Sequence, residues 1–105
     1  MSDEWVDAYD AREIGDEEVV AFEHEGRTYA LYNLEGHYYA TDGYCTHEKA
    51  HLSDGFVMDG MIECPLHMGQ FDIITGEAVA GPVCIHLKTY AVKEENDRIF
   101  IKVTR

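Results

Sequence analysis

Two short motifs pair a cysteine with a histidine at spacings typical of metal ligands. They are Cys45-Thr46-His47 and Cys64-Pro65-Leu66-His67, with 16 residues between His47 and Cys64. Each motif places a thiolate and an imidazole on one tight loop, so two such loops brought together supply four ligands around one pocket. With three Cys and six His in 105 residues, chance gives this spacing roughly once in several thousand tries. The sequence therefore predicts a metal or cluster site.

Two occupants suit this set of donors. One is a single tetrahedral zinc ion held by all four side chains. The other is a 2Fe-2S cluster whose cysteines hold one iron and whose histidines hold the other. The spacing of the ligands alone leaves both open.

The other cysteine and histidines are not expected to be ligands. Cys84-Ile85-His86 repeats the C-x-H pattern, but a buried, inert Cys84 is the commoner fate of such a residue. We expect His24 and His37 to be solvated surface residues. His51 follows His47 by four residues, outside the motif spacing, so we expect it beside the ligands or on the surface. An odd set of three cysteines also argues against a disulfide framework.

Short apolar segments separated by Gly, Asn and Asp predict an all-β domain. No stretch of 11 or more residues shows helical periodicity. Residues 18–24, 27–33 and 37–41 predict a three-stranded meander with turns at Glu25-Gly26 and Glu35-Gly36. Residues 87–93 and 98–103 predict a closing hairpin.

All three cysteines lie in an insert, residues 43–86, between the meander and the closing hairpin. Five short pieces are expected there: residues 56–57, 61–63, 70–72 and 77–79, and the Gly81-Pro82 loop. We interpret residues 1–105 as one domain, with a cluster-binding subdomain at about 43–86. The acid-rich stretch Asp3 to Glu18 is expected to be loosely held in part.

Composition excludes several classes of function. Eight Lys and Arg against 21 Asp and Glu give a net charge of −13, the wrong sign for binding nucleic acid. No apolar run approaches the roughly 20 residues that span a bilayer. The start, Met1-Ser2-Asp3-Glu4-Trp5, has no secretory pattern, so we expect a cytoplasmic protein. Such an acidic surface is drawn to basic patches on other proteins, more strongly at low salt.

The sequences around both motifs resemble the two cluster-binding loops of Rieske proteins, most closely those of Rieske ferredoxins. The similar segments are residues 45–55 and 62–72, and the resemblance runs from about Trp5 to Val103. It implies one 2Fe-2S cluster in a β domain of stacked antiparallel sheets, with a cluster-binding insert of two loops. By motif position, Cys45 and Cys64 would bind the inner iron, and His47 and His67 the outer iron near the domain tip.

Several positions depart from the pattern of respiratory-chain Rieske proteins. Ala50 and Leu66 stand where those relatives have a disulfide, and Gly69 and Phe71 stand where they have serine and tyrosine hydroxyls near the cluster sulfurs. Two lost donors at roughly 1 to 1.5 kcal/mol each lower a one-electron potential by about 100 mV. We therefore predict the low end of the Rieske range, about −150 mV. His86 stands where the family usually has proline, and the sequence predicts no effect of that change.

The resemblance implies a one-electron carrier, not an enzyme. It would take electrons from an NAD(P)H-dependent flavoprotein ferredoxin reductase and pass them singly to a terminal ring-hydroxylating oxygenase of an aromatic-ring dioxygenase system, as a monomer docking through the histidine tip. The chain ends at Arg105, so we expect no room for the mononuclear iron domain of an oxygenase. Two alternatives stay open: a Rieske-like small subunit of a reductase such as nitrite reductase, and a zinc-stabilised interaction domain.

Overall fold

Three antiparallel sheets carry most of the regular structure of the chain. The structure is a computed structural model and describes residues 3–46, 49–66, 68–81 and 85–104. The strands are β1 (Asp3–Asp10), β2 (Glu18–His24), β3 (Arg27–Leu34), β4 (His37–Asp42), β5 (Phe56–Met58), β6 (Met61–Glu63), β7 (Gln70–Asp72), β8 (Ala78–Ala80), β9 (Thr89–Tyr90), β10 (Val92–Glu95) and β11 (Arg98–Thr104). The sheet orders are β1-β11-β10, β2-β3-β4-β9 and β5-β6-β7-β8.

The predicted all-β fold is confirmed, as are the meander and most of the short strands of the insert. Two single 3-10 turns, Ala11–Glu13 and Leu52–Asp54, are the helical elements of the described residues. The turns at Glu25-Gly26 and Glu35-Gly36 have positive φ at both residues. That conformation matches the right-handed twist of a two-residue hairpin, and glycine at the second position adopts it without steric cost.

Strand β3 is buried on both of its faces because it lies between two cores. Successive side chains of a strand point to opposite faces. Ala30 and Tyr32 belong to one group of buried residues, whereas Tyr29 and Leu31 belong to the other. The sheet that contains β3 is therefore the middle layer of the stacked sheets.

The two cores serve different parts of the chain. The first core joins β3 to the insert, and its buried members are Ala30, Tyr32, Cys45, Ala50, Leu52, Ile62, Cys64, Phe71, Ile73 and Leu87. The second core joins β3 and β4 to the sheet β1-β11-β10, which we call the outer sheet. Its buried members are Ala11, Ile14, Tyr29, Leu31, Ala40, Ile99, Ile101 and Val103. Both cysteines of the predicted motifs therefore lie in the first core.

The acid-rich N-terminal stretch is more ordered than we expected. Residues 3–10 form β1, which pairs along the length of β11, with Val6 opposite Ile101. Val6, Ala8 and Tyr9 pack against the second core. The expectation of a partly loose segment was wrong for residues 3–10, because their four acidic residues obscured the pattern of a half-buried strand.

The closing hairpin differs from the prediction at its first strand. Residues 87–93 do not form one strand: Thr89–Tyr90 pairs with β4, and Val92–Glu95 pairs with β11. Ala91 lies between them and accepts a hydrogen bond from the backbone of Lys102 at 2.9 Å. The chain thus passes from the middle sheet to the outer sheet at this residue.

Among the described residues, no helix is long and apolar enough to cross a membrane.

Tyr32 should make the folded state sensitive to alkaline pH. Its side chain is fully buried, and its hydroxyl hydrogen bonds to Thr41 Oγ1 at 2.9 Å. Burial raises the pKa of Tyr32 above its usual value of 10. Because the folded state favours the neutral phenol, this stability is full below pH 10 and is lost as the pH rises further.

We expect the free energy of unfolding to fall above pH 10 with a contribution from Tyr32 of up to about 1.4 kcal/mol per pH unit. Urea unfolding of the wild type and of Tyr32→Phe at several pH values from 8 to 11 measures this contribution. The variant should lose that part of the slope. Equal slopes in the two proteins would show that Tyr32 does not control the alkaline limit.

Candidate cofactor site

Two loops of the insert are closed by the same backbone hydrogen bond. The N–H of Cys45 donates to the carbonyl of Ala50 at 3.0 Å, and the N–H of Cys64 donates to the carbonyl of Gly69 at 2.7 Å. In both loops the donor is a motif cysteine and the acceptor is five residues later in the sequence. His47 and His67 fall within these loops in the sequence but lie outside the described residues, so the structure locates two of the four predicted ligands.

The two cysteines have the environment that thiolate ligands of an enclosed cluster require. Within the described part of the chain neither cysteine forms a disulfide, and Cys45 and Cys64 are only 6% and 1% exposed. They share the first core with Phe71 and Leu52. Buried cysteines with apolar neighbours, on two loops that share one core, fit ligation of soft metal ions with little water at the inner side.

Residues just before and after the first loop fix its base to the middle sheet. The N–H of Gly43 donates to the carbonyl of Thr28 at 2.9 Å, and the carbonyl of Gly43 accepts from Leu52 at 2.9 Å. Tyr44 and His51 form an isolated β-bridge, and their rings lie 4.7 Å apart. His51 therefore supports the loop by packing against Tyr44. Of the two positions expected for it, the structure shows the one beside the ligand-bearing loop.

The chain on either side of positions 82–84 contacts both loops. Thr46 Oγ1, on the first loop, donates to the carbonyl of Ile85 at 2.7 Å. Gly81 packs so closely on the second loop that a Cβ there would lie 2.8 Å from Gly69 Cα. Cys84 itself lies outside the described residues, so its expected burial stays a prediction.

His86 has a structural role that the sequence did not reveal. Its Nδ1 accepts a hydrogen bond from the backbone N–H of Ala78 at 2.9 Å, which places the ring proton on Nε2. The next residue, Leu87, donates its N–H to the carbonyl of Gly76 at 2.7 Å. Residues 85–87 are thus fastened to the chain around β8. Only the neighbouring Gly81-Pro82 pair signalled a special loop here.

The expectation for the remaining histidines holds for one of two. His37 is exposed. His24 is half-buried, and its ring stacks on Phe22 with 6.1 Å between the centroids. The partial burial of His24 was not predicted because position 24 ends a predicted strand, where the outward and inward faces are hard to assign.

Comparison with known proteins gives consistent matches over nearly the whole chain. Residues 4–91 match the family described as Rieske [2Fe-2S] domain. The ferredoxin component of the naphthalene 1,2-dioxygenase system of Pseudomonas aeruginosa is 46% identical over 104 residues, covering 99% of this chain and 100% of that protein.

Solved structures agree with the sequence matches. The Sphingomonas yanoikuyae B1 ferredoxin superposes with a TM-score of 0.91 and 38% identity, covering 96% of this chain and 100% of that one. A chain from a complex of reduced oxygenase and oxidized ferredoxin in carbazole 1,9a-dioxygenase gives a TM-score of 0.88 at 28% identity, with 92% and 91% of the two chains covered.

The fold, the two cysteine loops and these matches define a small all-β iron-sulfur protein, and the chain belongs to the Rieske 2Fe-2S domain family. Within that family it is a ferredoxin component of aromatic dioxygenase systems: an electron carrier with a single 2Fe-2S cluster, and not the catalytic oxygenase. The zinc-stabilised domain and the nitrite reductase-like subunit, the two alternatives that the sequence analysis left open, are therefore set aside.

Gly81 should be needed to hold the second loop in place. Its φ is +80°, and a Cβ would also lie 3.1 Å from the carbonyl oxygen of Met68. Gly81→Ala must therefore displace the loop between Cys64 and Gly69. We expect the variant to lose its visible cluster absorption several-fold faster than the wild type in the presence of an iron chelator.

Gly26→Ala is the matched control for this substitution. Gly26 has nearly the same φ, +79°, but a Cβ there meets nothing within 4 Å. Both variants incur the cost of about 1 kcal/mol for a left-handed alanine, whereas only Gly81→Ala crowds the loop. Equal rates of cluster loss in the two variants would mean that the contact with the second loop is unimportant.

Proposed function

We propose that Cys45 and Cys64 hold one iron of the cluster and that His47 and His67 hold the other. The observation that carries this assignment is the pair of buried cysteines on two loops with the same closing hydrogen bond. Residues 43–86 act as the cluster-binding part of a single domain of residues 1–105. This division is supported by the first core, which contains residues of both β3 and the insert.

The chain would pass electrons one at a time from an NAD(P)H-dependent flavoprotein reductase to a terminal ring-hydroxylating oxygenase. When bound, the cluster supplies reversible one-electron chemistry. The protein's own residues supply the thiolate ligands and exclude water with the first core, in which Phe71 offers no hydroxyl group. We propose that it works in the cytoplasm as a monomer.

Exposed apolar side chains next to the two loops support docking at this end of the molecule. Leu66 and Met68 flank His67 in the sequence and are 45% and 71% exposed, and Ile85 is 63% exposed. Ile85 is tied to the first loop through Thr46, and Gly81 touches Met68. Exposed apolar groups gathered in this way are typical of protein interaction sites.

The function is tested by reconstitution of electron transfer. Protein prepared without oxygen is assayed for iron, acid-labile sulfide and the EPR signal of the reduced cluster, and then mixed with NADH, a flavoprotein reductase and a terminal ring-hydroxylating oxygenase. We expect two irons per chain and aromatic product formation that requires the carrier. A colourless protein without iron, or turnover that does not depend on it, would contradict the proposal.

Salt should slow electron transfer to the partners. The net charge of −13 favours encounter with oppositely charged surfaces, and added salt screens that attraction over about 10 Å at 0.1 M. We expect the bimolecular rate constant, measured by stopped-flow mixing with each partner, to fall about tenfold or more between 20 and 300 mM salt. A rate constant that does not change with salt would remove charge steering from the mechanism.

A further inference from the structure

A cleft beside the first cluster-binding loop collects basic side chains. It has a volume of about 650 Å³, and Cys45 and Thr46 form part of its wall. Arg27, Lys49 and Lys88 line it, together with one acidic residue, Asp42. We call it the basic cleft. It lies at the loop that carries half of the proposed ligands.

The sign of its charge is opposite to that of the rest of the molecule. Among the residues that the structure describes, the lining of the basic cleft has three cations, Arg27, Lys49 and Lys88, and one acidic residue, Asp42. The chain as a whole has eight Lys and Arg residues and 21 Asp and Glu residues. This grouping of cations gives the cleft a local electrostatic potential that differs from that of the acidic protein as a whole.

Each of the three cations contacts a tyrosine. Lys49 Nζ lies 5.3 Å from the centroid of Tyr44, and Lys88 Nζ lies 5.3 Å from that of Tyr90. Arg27 Nη1 donates to Tyr90 Oη at 3.5 Å. Among the residues that the structure describes, none of the three cations forms an ion pair.

The acidic residue of the cleft is already engaged. Asp42 Oδ1 accepts the hydrogen bond from the hydroxyl of Tyr90, and burial together with this carboxylate raises the pKa of Tyr90, which stays a neutral donor. Tyr90 thus occupies one oxygen of Asp42 and presents its ring to Lys88. Arg27, Lys49 and Lys88 are exposed, so their positive charge faces solvent, with Asp42 offsetting one unit of it.

We propose that the basic cleft receives a carboxylate-bearing segment of the terminal oxygenase and so fixes the orientation of the bound carrier. This inference rests on the proposed function and adds the chemistry of one contact. The cations come from three separate parts of the chain around a space many times the roughly 30 Å³ of one water, which suits a protein segment better than a small anion. A ferredoxin of the same fold is known in complex with its oxygenase, which makes the oxygenase the occupant to test.

Two double variants separate the local charge from the net charge. Lys49→Gln with Lys88→Gln removes two cations from the basic cleft. Lys93→Gln with Lys102→Gln removes two from the outer sheet, where both side chains lie near the ring of Trp5. Both pairs change the net charge from −13 by the same amount, so any difference between them is due to position.

Affinity for the terminal oxygenase is measured by titration calorimetry at low salt with the cluster-loaded proteins. We expect Kd to rise about tenfold for the cleft variant and less than twofold for the outer-sheet variant. Iron content should match the wild type in both variants, which shows that the cluster is assembled. Equal changes in the two variants, or a loss of affinity confined to the flavoprotein reductase, would overturn the proposal.

A titration with inorganic phosphate examines the other occupant. Weak binding, unchanged in the cleft variant, supports the protein segment. Tight binding that disappears with Lys49→Gln and Lys88→Gln would assign the cleft to a small anion and overturn the proposal. The proposed function fails by a different result, namely wild-type protein that neither binds the oxygenase nor transfers an electron to it.

Discussion

Cys64→Ser is expected to abolish the visible absorption and the EPR signal of the cluster, with acid-labile sulfide falling to background. Serine retains the size of cysteine but offers a hard oxygen in place of a soft thiolate, which iron-sulfur centres prefer. The cysteine is 1% exposed, so the weaker ligand cannot be replaced by a nearby surface group. The measurement is the iron and sulfide content of protein purified without oxygen.

Two further variants make this result specific. His67→Ala should also lose the cluster spectrum, because the outer iron would lose half of its protein ligands. Cys84→Ser should keep it, because the second C-x-H pattern lies outside the ligand set. Retention of the spectrum in His67→Ala together with its loss in Cys84→Ser would reverse the ligand assignment.

Phe71→Tyr is expected to raise the reduction potential by about 50 mV. Phe71 is fully buried and shares the first core with both cysteines, but its ring has no hydrogen-bond donor. A hydroxyl directed at a cluster sulfur or thiolate stabilises the more negative, reduced state by roughly 1 to 1.5 kcal/mol, which corresponds to about 40 to 65 mV for one electron. Protein-film voltammetry or a redox titration followed by EPR measures the change.

Phe22→Tyr is the control for this prediction. Phe22 packs against the second core, so its added hydroxyl cannot reach the cofactor site. We expect the potential of this variant to stay at the wild-type value, which the sequence predicts to be about −150 mV. If Phe71→Tyr assembles a normal cluster and also leaves the potential unchanged, the missing hydroxyl does not explain a low potential.

The fold could be predicted where local patterns were strong. Strands β2, β3 and β4 follow alternating or continuous apolar residues between X-Gly turns, and the structure has them almost as expected. The N-terminal strand β1 was not predicted because its pairing with β11 depends on residues that are distant in the sequence. The change of sheet at Ala91 also depends on two partners far away in sequence.

The candidate site was predictable to the extent that its chemistry is contained in short motifs. Cys45 and Cys64 could be identified from spacing alone, and the structure places both in one core. The fastening of residues 85–87 could not, because Thr46 and Ile85 are 39 residues apart and His86 contacts a backbone group instead of a ligand. The basic cleft was hidden for the same reason, since its cations come from three separate segments.

The position of β3 between two cores limits how this chain can vary. A strand at the surface tolerates substitutions on its exposed face. Each residue from 29 to 32 is buried in one of the two cores, so a change of side-chain volume there opens a cavity or forces a neighbour to move. Tyr29 and Leu31 pack in the core shared with the outer sheet, and Ala30 and Tyr32 pack in the core that contains both cysteines. Libraries of random variants selected for colour should therefore retain little diversity at these four positions, although none of them is a proposed ligand.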